Sequence, residues 1–282
     1  MTVGDTPTWR RLLADAVRDI GDEGDARRIV EEASGHEGAD LVVHLDDACT
    51  TLTHAHWARM CERRTAGEPL QYVLGRWGFR TLDLLVDKRV LIPRPETEMV
   101  VEHALAEVDR LDAATAVDLG TGSGAVALSL AAERPSLTVW ATDSSLAALD
   151  VARANLAGMG RAGARVRIVE GDWYDALPDE LLGEVDVLVS NPPYVADGDP
   201  LPDEVAEWEP RDALRSGPEG LDAIAVIVAG APIWLRPGGS LVLEIGDTQG
   251  TRVVELAEKA GFRADVRHDL ARRDRALVAR LE

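Results

Sequence analysis

Thr115-Ala116-Val117-Asp118-Leu119-Gly120-Thr121-Gly122-Ser123-Gly124-Ala125 reads as a short apolar strand running into a glycine-rich turn that opens a helix over 126–132. Glycines let the chain turn tightly and let a ligand approach bare backbone, while the helix start offers free N–H groups. Working outward, strand-like runs recur at 137–141, 166–169, 185–189, 241–245, 263–266 and 276–281, and helical stretches separate most of them. Such alternation predicts an α/β fold: an open, Rossmann-like, mostly parallel sheet with helices on both faces. Ligands of such sheets sit outside the carboxyl ends of the strands.

The turn alone does not choose the ligand, because Gly120-x-Gly122-x-x-Ala125 also meets a permissive dinucleotide pattern. Three features at the strand ends bear on the choice. Asp118 leaves the first strand as a carboxylate, which favours a cationic ligand and repels a pyrophosphate. Asp143 ends the second strand, 23 residues after Gly120, where a carboxylate can grip ribose hydroxyls; this feature suits either cofactor. Gly171-Asp172-Trp173 follows the third strand and offers an acceptor for an exocyclic amine beside an aromatic surface. Taken alone, Asp172 and Trp173 make an ordinary turn with a packed indole. The set, in this order, favours the sulfonium cofactor S-adenosylmethionine over a nicotinamide.

Asn191-Pro192-Pro193-Tyr194 ends the fourth strand. Two prolines remove two N–H donors and fix two φ angles, so the polar groups of the turn are mostly acceptors. Such a turn suits a planar NH2 group, whether an amide or an adenine or cytosine ring, and Tyr194 adds a flat face for it. A strand-ending turn stiffened by proline is the structural alternative. On the functional reading, the Asn191 oxygen and the Pro192 carbonyl each accept one N–H from an amide nitrogen and strengthen as positive charge develops on it. Asn191 and Pro192 are therefore the candidate catalytic residues.

Upstream, Trp9, Leu12, Leu13, Ala16, Val17 and Ile20 form one apolar helical face. Asp25 is expected to cap a second helix with Ile29, Val30 and Ala33. A third carries Leu41, Val42 and Leu45, and Thr53 is expected to cap a fourth with Trp57, Met60 and Cys61. With Gly21, Gly24, Gly35 and Gly38 read as punctuation between them, 1–74 is a small helical bundle. The alternating run 82–87 suggests a hairpin linker over 75–96, and 97–282 is the cofactor-binding domain. The stretch 91–98 is read as a structural linker, or else as a lid presenting Arg94. His54 and His56 point to opposite sides of a helix, so no metal site is expected. The polar, proline-bearing stretch 195–215 is expected to be a long loop with a short helix facing a peptide, or else a solvated insertion. Glu244 ends the fifth strand without an assignable role.

The 282 residues carry 50 acidic against 30 basic groups, a net charge of -20, and Lys88 and Lys259 are the only lysines. That balance opposes phosphate-backbone binding and fits a neutral or basic protein partner. No apolar run approaches the roughly 20 residues of a spanning helix, no leader is legible, and Cys49 and Cys61 read as buried thiols; a cytoplasmic, membrane-free monomer is expected.

Together, Gly67-Glu68-Pro69 with Tyr72 and Gly75, Leu91-Ile92-Pro93-Arg94-Pro95-Glu96-Thr97-Glu98, 118–124, Asp143, Asp172-Trp173 and 191–194 resemble the glutamine methyltransferases that modify peptide chain release factors. The resemblance covers nearly the whole chain, and 91–98 is its most telling part. It implies that Asp118, Leu119, Gly120, Thr121, Gly122 and Asp143 bind S-adenosylmethionine, with Asp172 and Trp173 bordering the adenine. Asn191, Pro192, Pro193 and Tyr194 would hold the glutamine side-chain amide, with Asn191 also beside the cofactor. The implied target is the glutamine of the Gly-Gly-Gln motif of release factors. One departure is Arg272, where the family pattern has glycine, which puts the local loop shape in question. The competing readings are a glutamine methyltransferase of a ribosomal protein, an adenine amino-methyltransferase acting on nucleic acid, and a silent binding module on an old methyltransferase scaffold.

Overall fold

The computed structural model describes residues 6–282, which divide into two compact units, 6–75 with 203–208, and 76–202 with 209–282. In the first, helices α1 (Trp9–Ile20), α2 (Glu23–Ser34), α3 (Ala39–His44), α4 (Thr51–Thr65) and α5 (Leu70–Leu74) bury Trp9, Leu12, Ala16, Ile29, Val30 and Met60 against one another. Two caps lie one turn earlier than expected. Asp22, not Asp25, accepts the Asp25 N–H at 2.9 Å and starts α2, which takes Gly24 into its first turn. Thr50, not Thr53, starts α4; the two exchange bonds, Thr53 N–H to Thr50 Oγ1 at 3.1 Å and Thr50 N–H to Thr53 Oγ1 at 3.0 Å, a reciprocal capping box. Asp25 is left to pair with Arg64 at 2.6 Å. Val42, expected on an apolar face, is exposed. Cys49 and Cys61 are free and buried.

The second unit opens with a hairpin of β1 (Arg76–Phe79) and β2 (Leu82–Leu85), then α6 (Pro95–Leu111), which starts two residues before the expected 97 because proline fits the first helical position. There follow β3 (Thr115–Leu119), α7 (Ala125–Glu133), β4 (Thr138–Asp143), α8 (Leu146–Ala157), β5 (Val166–Glu170) and β6 (Val185–Ser190). A short helix α9 (Asp203–Trp208) interrupts the loop after β6 and belongs to the helical unit, where Glu204 meets Arg64 at 2.7 Å. The chain ends with α10 (Asp222–Trp234), β7 (Leu235–Glu244), α11 (Gly250–Lys259), β8 (Phe262–His268) and β9 (Asp274–Leu281).

Seven strands form one sheet in the order β5-β4-β3-β6-β7-β9-β8, parallel except for β9, which runs antiparallel to both neighbours. Every residue of β6 is buried, as befits a central strand covered on both faces. The core beneath it joins Val117, Leu188, Ile224, Ile227, Leu241 and Leu277. Strand β7 starts at Leu235 instead of 241, because Pro237-Gly238-Gly239 is absorbed within it as an irregularity: Val185 pairs Leu235 and Val187 already pairs Ser240. The order reverses between β3 and β6, and that switch point opens a crevice at the strands' carboxyl ends.

Arg272, in the turn joining β8 and β9, has φ 61°, the left-handed conformation that glycine adopts freely. The loop at Arg272 thus takes the backbone that a glycine would adopt freely.

Candidate active site

Because β3 lies between β4 and β6, with Asp118 opposite both Ala141 and Val189, three of the sequence-flagged strand ends converge. They border a cavity of about 450 Å³ lined by Asp118, Gly120, Thr121, Gly122, Asp143, Asp172, Trp173, Asn191 and Pro193, within the size range of cofactor sites. Leu119, Pro192 and Tyr194 are not on its wall. The Leu119 side chain is fully buried, and its carbonyl accepts from the Ser190 hydroxyl at 2.6 Å, which locks β3 to β6 at the switch point. Pro192 is buried as well.

Asp118 is 1% exposed, and its Oδ2 accepts from the Thr121 hydroxyl at 2.6 Å and the Ala127 N–H at 3.1 Å. Burial pushes its pKa up to about 7 against those two bonds, and the Asp143 charge pushes the same way. Asp143 accepts the Gly122 N–H on Oδ2 and the Ser145 N–H on Oδ1, each at 2.9 Å, and burial raises its pKa too. The two acids thus shape the glycine turn and leave it facing a site that favours positive charge. Gly120 takes φ 72°, and a Cβ there would stand 3.3 Å from Trp173 Cζ3, so the indole lies against bare backbone. Trp173 itself is held at φ 47°, its carbonyl accepting from the Thr142 hydroxyl at 3.1 Å.

Around the second turn, the Asn191 Nδ2 donates to Thr97 Oγ1 at 3.1 Å, and Thr97 Oγ1 donates to Glu244 Oε2 at 2.6 Å. Tyr194 donates its hydroxyl to Glu244 Oε1 at 3.2 Å while its ring packs on the core. This corrects the expectation of an open aromatic face. Glu244 is 1% exposed; burial pushes it up to about 7, opposed by the bonds from Thr97 and Tyr194 and by the Arg275 cation. The Tyr194 carbonyl accepts from Gln249 Nε2 at 3.0 Å, and at Gly220 a Cβ would meet that same carbonyl oxygen at 2.2 Å.

Arg89, Val90, Leu91, Pro93 and Thr97 also line the cavity. The stretch read as a linker is therefore part of the wall. Arg94 turns instead to Glu209, whose side chain is 1% exposed and also accepts the Ile92 N–H at 3.2 Å. That ion pair ties 92–94 to the loop after β6, whose Pro210, Asp212 and Ala213 line the cavity too. Sequence reasoning gave no role to Thr97, Glu209 or Glu244. The available signal was a carboxylate at the end of an apolar strand, which is costly to bury without partners.

In the helical unit, His36, Asp40 and His44 bring one ligand atom each within 4.8 Å of one another, a grouping missed where only His54 and His56 were weighed. Asp40 occupies both histidines, taking His36 Nδ1 on its carboxylate at 2.6 Å and His44 Nδ1 on its backbone carbonyl at 2.9 Å. Among the described residues, no helix is long and apolar enough to cross a membrane.

A seven-stranded sheet of this order, with an acid-flanked glycine turn after β3 and an Asn-Pro-Pro-Tyr turn after β6, defines a Rossmann-like methyltransferase. Comparison with known proteins agrees. The Methyltransferase small domain model matches residues 96–207 and the PrmC N-terminal domain model residues 9–75. The release factor glutamine methyltransferase of Xylella fastidiosa is 45% identical over 277 residues, covering 97% of this chain and 98% of that one. The enzyme of the same name from Moorella thermoacetica is 42% identical, covering 96% and 98%. A methyltransferase structure from Pyrococcus furiosus matches with a TM-score of 0.51 at 19% identity, covering 71% of this chain and 89% of that one, a likeness of fold. The chain belongs to the release factor glutamine methyltransferase family and is a protein-glutamine N-methyltransferase.

Proposed function

We propose that this enzyme methylates the side-chain amide nitrogen of the glutamine in the Gly-Gly-Gln motif of peptide chain release factors, using S-adenosylmethionine. The observation that carries the reading is Asn191 on the wall of the same cavity as Asp118 and Asp143, with its amide nitrogen already engaged by Thr97. The residues fit the cofactor: two acids favour a cation, Gly120 lets the Trp173 indole lie against the turn as part of the wall, and exposed Asp172 offers an acceptor at the rim. Bound there, S-adenosylmethionine supplies an electrophilic methyl whose carbon–sulfur electrons leave with the sulfur.

The chain's own residues address the nucleophile. An amide nitrogen is weak because its lone pair is delocalised into the carbonyl. The Asn191 oxygen and the Pro192 carbonyl, each accepting one N–H, would hold that nitrogen as it pyramidalises and would strengthen as charge develops on it. The nitrogen lone pair makes the new bond to carbon, and the cationic amide then loses its proton to water, so no strong base is needed. Positioning supplies much of the remaining acceleration.

The names of the relatives favour a release factor over a ribosomal protein, and the net charge of -20 disfavours a nucleic acid. With such a substrate the reaction belongs to the cytoplasm. The test is transfer of labelled methyl to a purified release factor, repeated with its Gly-Gly-Gln glutamine replaced. Label on the wild-type factor alone is expected; label on both, or on neither, would overturn the assignment.

A further inference from the structure

We propose that Glu244, acting through Thr97, is a positioning residue that fixes which end of the Asn191 amide faces the substrate. The inference rests on the function proposed above, since it concerns the same turn. The two ends of a carboxamide are alike in shape and opposite in hydrogen bonding, so the usefulness of Asn191 depends on its direction. Only its oxygen end can accept an N–H from an incoming NH2 group; the nitrogen end would meet that group donor to donor.

Nothing in the Asn191 side chain itself selects one direction, but its neighbours do. An ionised carboxylate only accepts. Glu244 takes the hydroxyl of Thr97 on one oxygen, at 2.6 Å, and that of Tyr194 on the other, at 3.2 Å. The single hydroxyl proton of Thr97 is thereby spent on Glu244. Towards Asn191, the Thr97 oxygen can then only accept, and at 3.1 Å it receives the Asn191 Nδ2. The amide oxygen remains for the cavity side.

The chain of donors therefore runs one way, from Asn191 through Thr97 to Glu244. Thr97 and Glu244 are 3% and 1% exposed, which keeps water from offering an alternative proton or acceptor. Burial raises Glu244 to about 7 while the bonds from Thr97 and Tyr194 and the Arg275 cation oppose it, so the carboxylate holds this direction in its ionised form, at and above about pH 7. The three residues come from the start of α6, the exit of β6 and the end of β7, so this relay exists only in the folded chain.

The test compares Thr97→Val, which keeps the shape and removes the relay, with Thr97→Ser, which restores the hydroxyl, and with Glu244→Gln, whose amide can hold either direction. Turnover of a release factor at saturating donor, donor affinity by calorimetry and hydrogen exchange of the Asn191 side-chain amide by NMR are read for each. Thr97→Val is expected to lower turnover at least about 10-fold with donor affinity within about 2-fold, the scale of one lost orienting hydrogen bond. Thr97→Ser should stay within about 3-fold of wild type, with Glu244→Gln between the two. One Asn191 amide hydrogen should exchange slowly in the wild type and quickly in Thr97→Val. Undiminished turnover in Thr97→Val, a loss wholly in donor affinity, or two freely exchanging hydrogens in the wild type would overturn the proposal. If the wild type methylates no release factor, the functional reading fails, and the exchange measurement alone still decides the direction of the amide.

Discussion

The backbone N–H of Gly122 donates to Asp143 Oδ2 at 2.9 Å, so the carboxylate that ends one strand holds the glycine turn that follows its neighbour. The residue read from sequence as a ribose ligand thus also shapes the glycine turn. Asp143→Ala should therefore weaken methyl-donor binding by at least about 10-fold, the loss of one charged hydrogen bond or more, with turnover at saturating donor little changed. Calorimetric titration with the donor checks it; unchanged affinity would contradict this role.

Asn191→Ala should do the reverse. Donor affinity stays nearly intact while turnover falls at least about 100-fold, the scale of one transition-state hydrogen bond. Steady-state kinetics at saturating donor separates the two, and a change confined to donor affinity would count against the amide-holding role.

Donor binding should depend on pH through Asp118. Burial raises the pKa of this carboxylate to about 7, so the folded apo protein holds its proton more tightly than the unfolded chain does. A cationic ligand favours the ionised form, so affinity should rise with pH up to about 7 and level off above it, with proton release on binding at pH 6. For stability the sign is opposite: a raised acid contribution is lost as pH climbs from the unfolded value, about 4, through about 7. Titrations in buffers of different ionisation enthalpy would show the released proton, and Asp118→Asn should reduce the pH dependence of affinity to the part carried by Asp143, which burial also raises.

Glu209→Ala should loosen the wall formed by 92–94. It leaves the Arg94 guanidinium and the Ile92 N–H without their shared, buried acceptor. With Arg94 partly exposed, a loss of about 2 kcal/mol is expected, below the range for fully buried pairs. Denaturant unfolding measures it, and a loss under about 0.5 kcal/mol would mean the pair contributes little.

Arg272→Gly should stabilise the protein. Relieving a left-handed conformation in a non-glycine residue returns about 1 kcal/mol, and the greater freedom of glycine in the unfolded chain offsets about half of it. A gain of the order of 0.5 kcal/mol in unfolding free energy, read as a raised denaturation midpoint, is expected; a lowered midpoint would show that the arginine side chain contributes to the turn.

Strand and helix alternation made the sheet legible before any coordinates, because apolar period and glycine punctuation are local signals. The same holds for Asp118, Asp143 and Asn191, each of which follows a recognisable strand. Caps at Asp22 and Thr50 were misplaced by one turn, since several polar residues compete near each helix start and only the backbone bonds decide among them. Tyr194 was misread for a related reason: its sequence neighbours suggested an open turn, whereas packing against the core turned its ring inward and its hydroxyl to Glu244. What the sequence determined by itself was the order of strands, turns and acids, and with it the family. Only the tertiary structure decided that Thr97, Asn191 and Glu244, from distant parts of the chain, share hydrogen bonds, because the direction of a buried bond depends on which donors and acceptors the fold brings within 3 Å or so of each other.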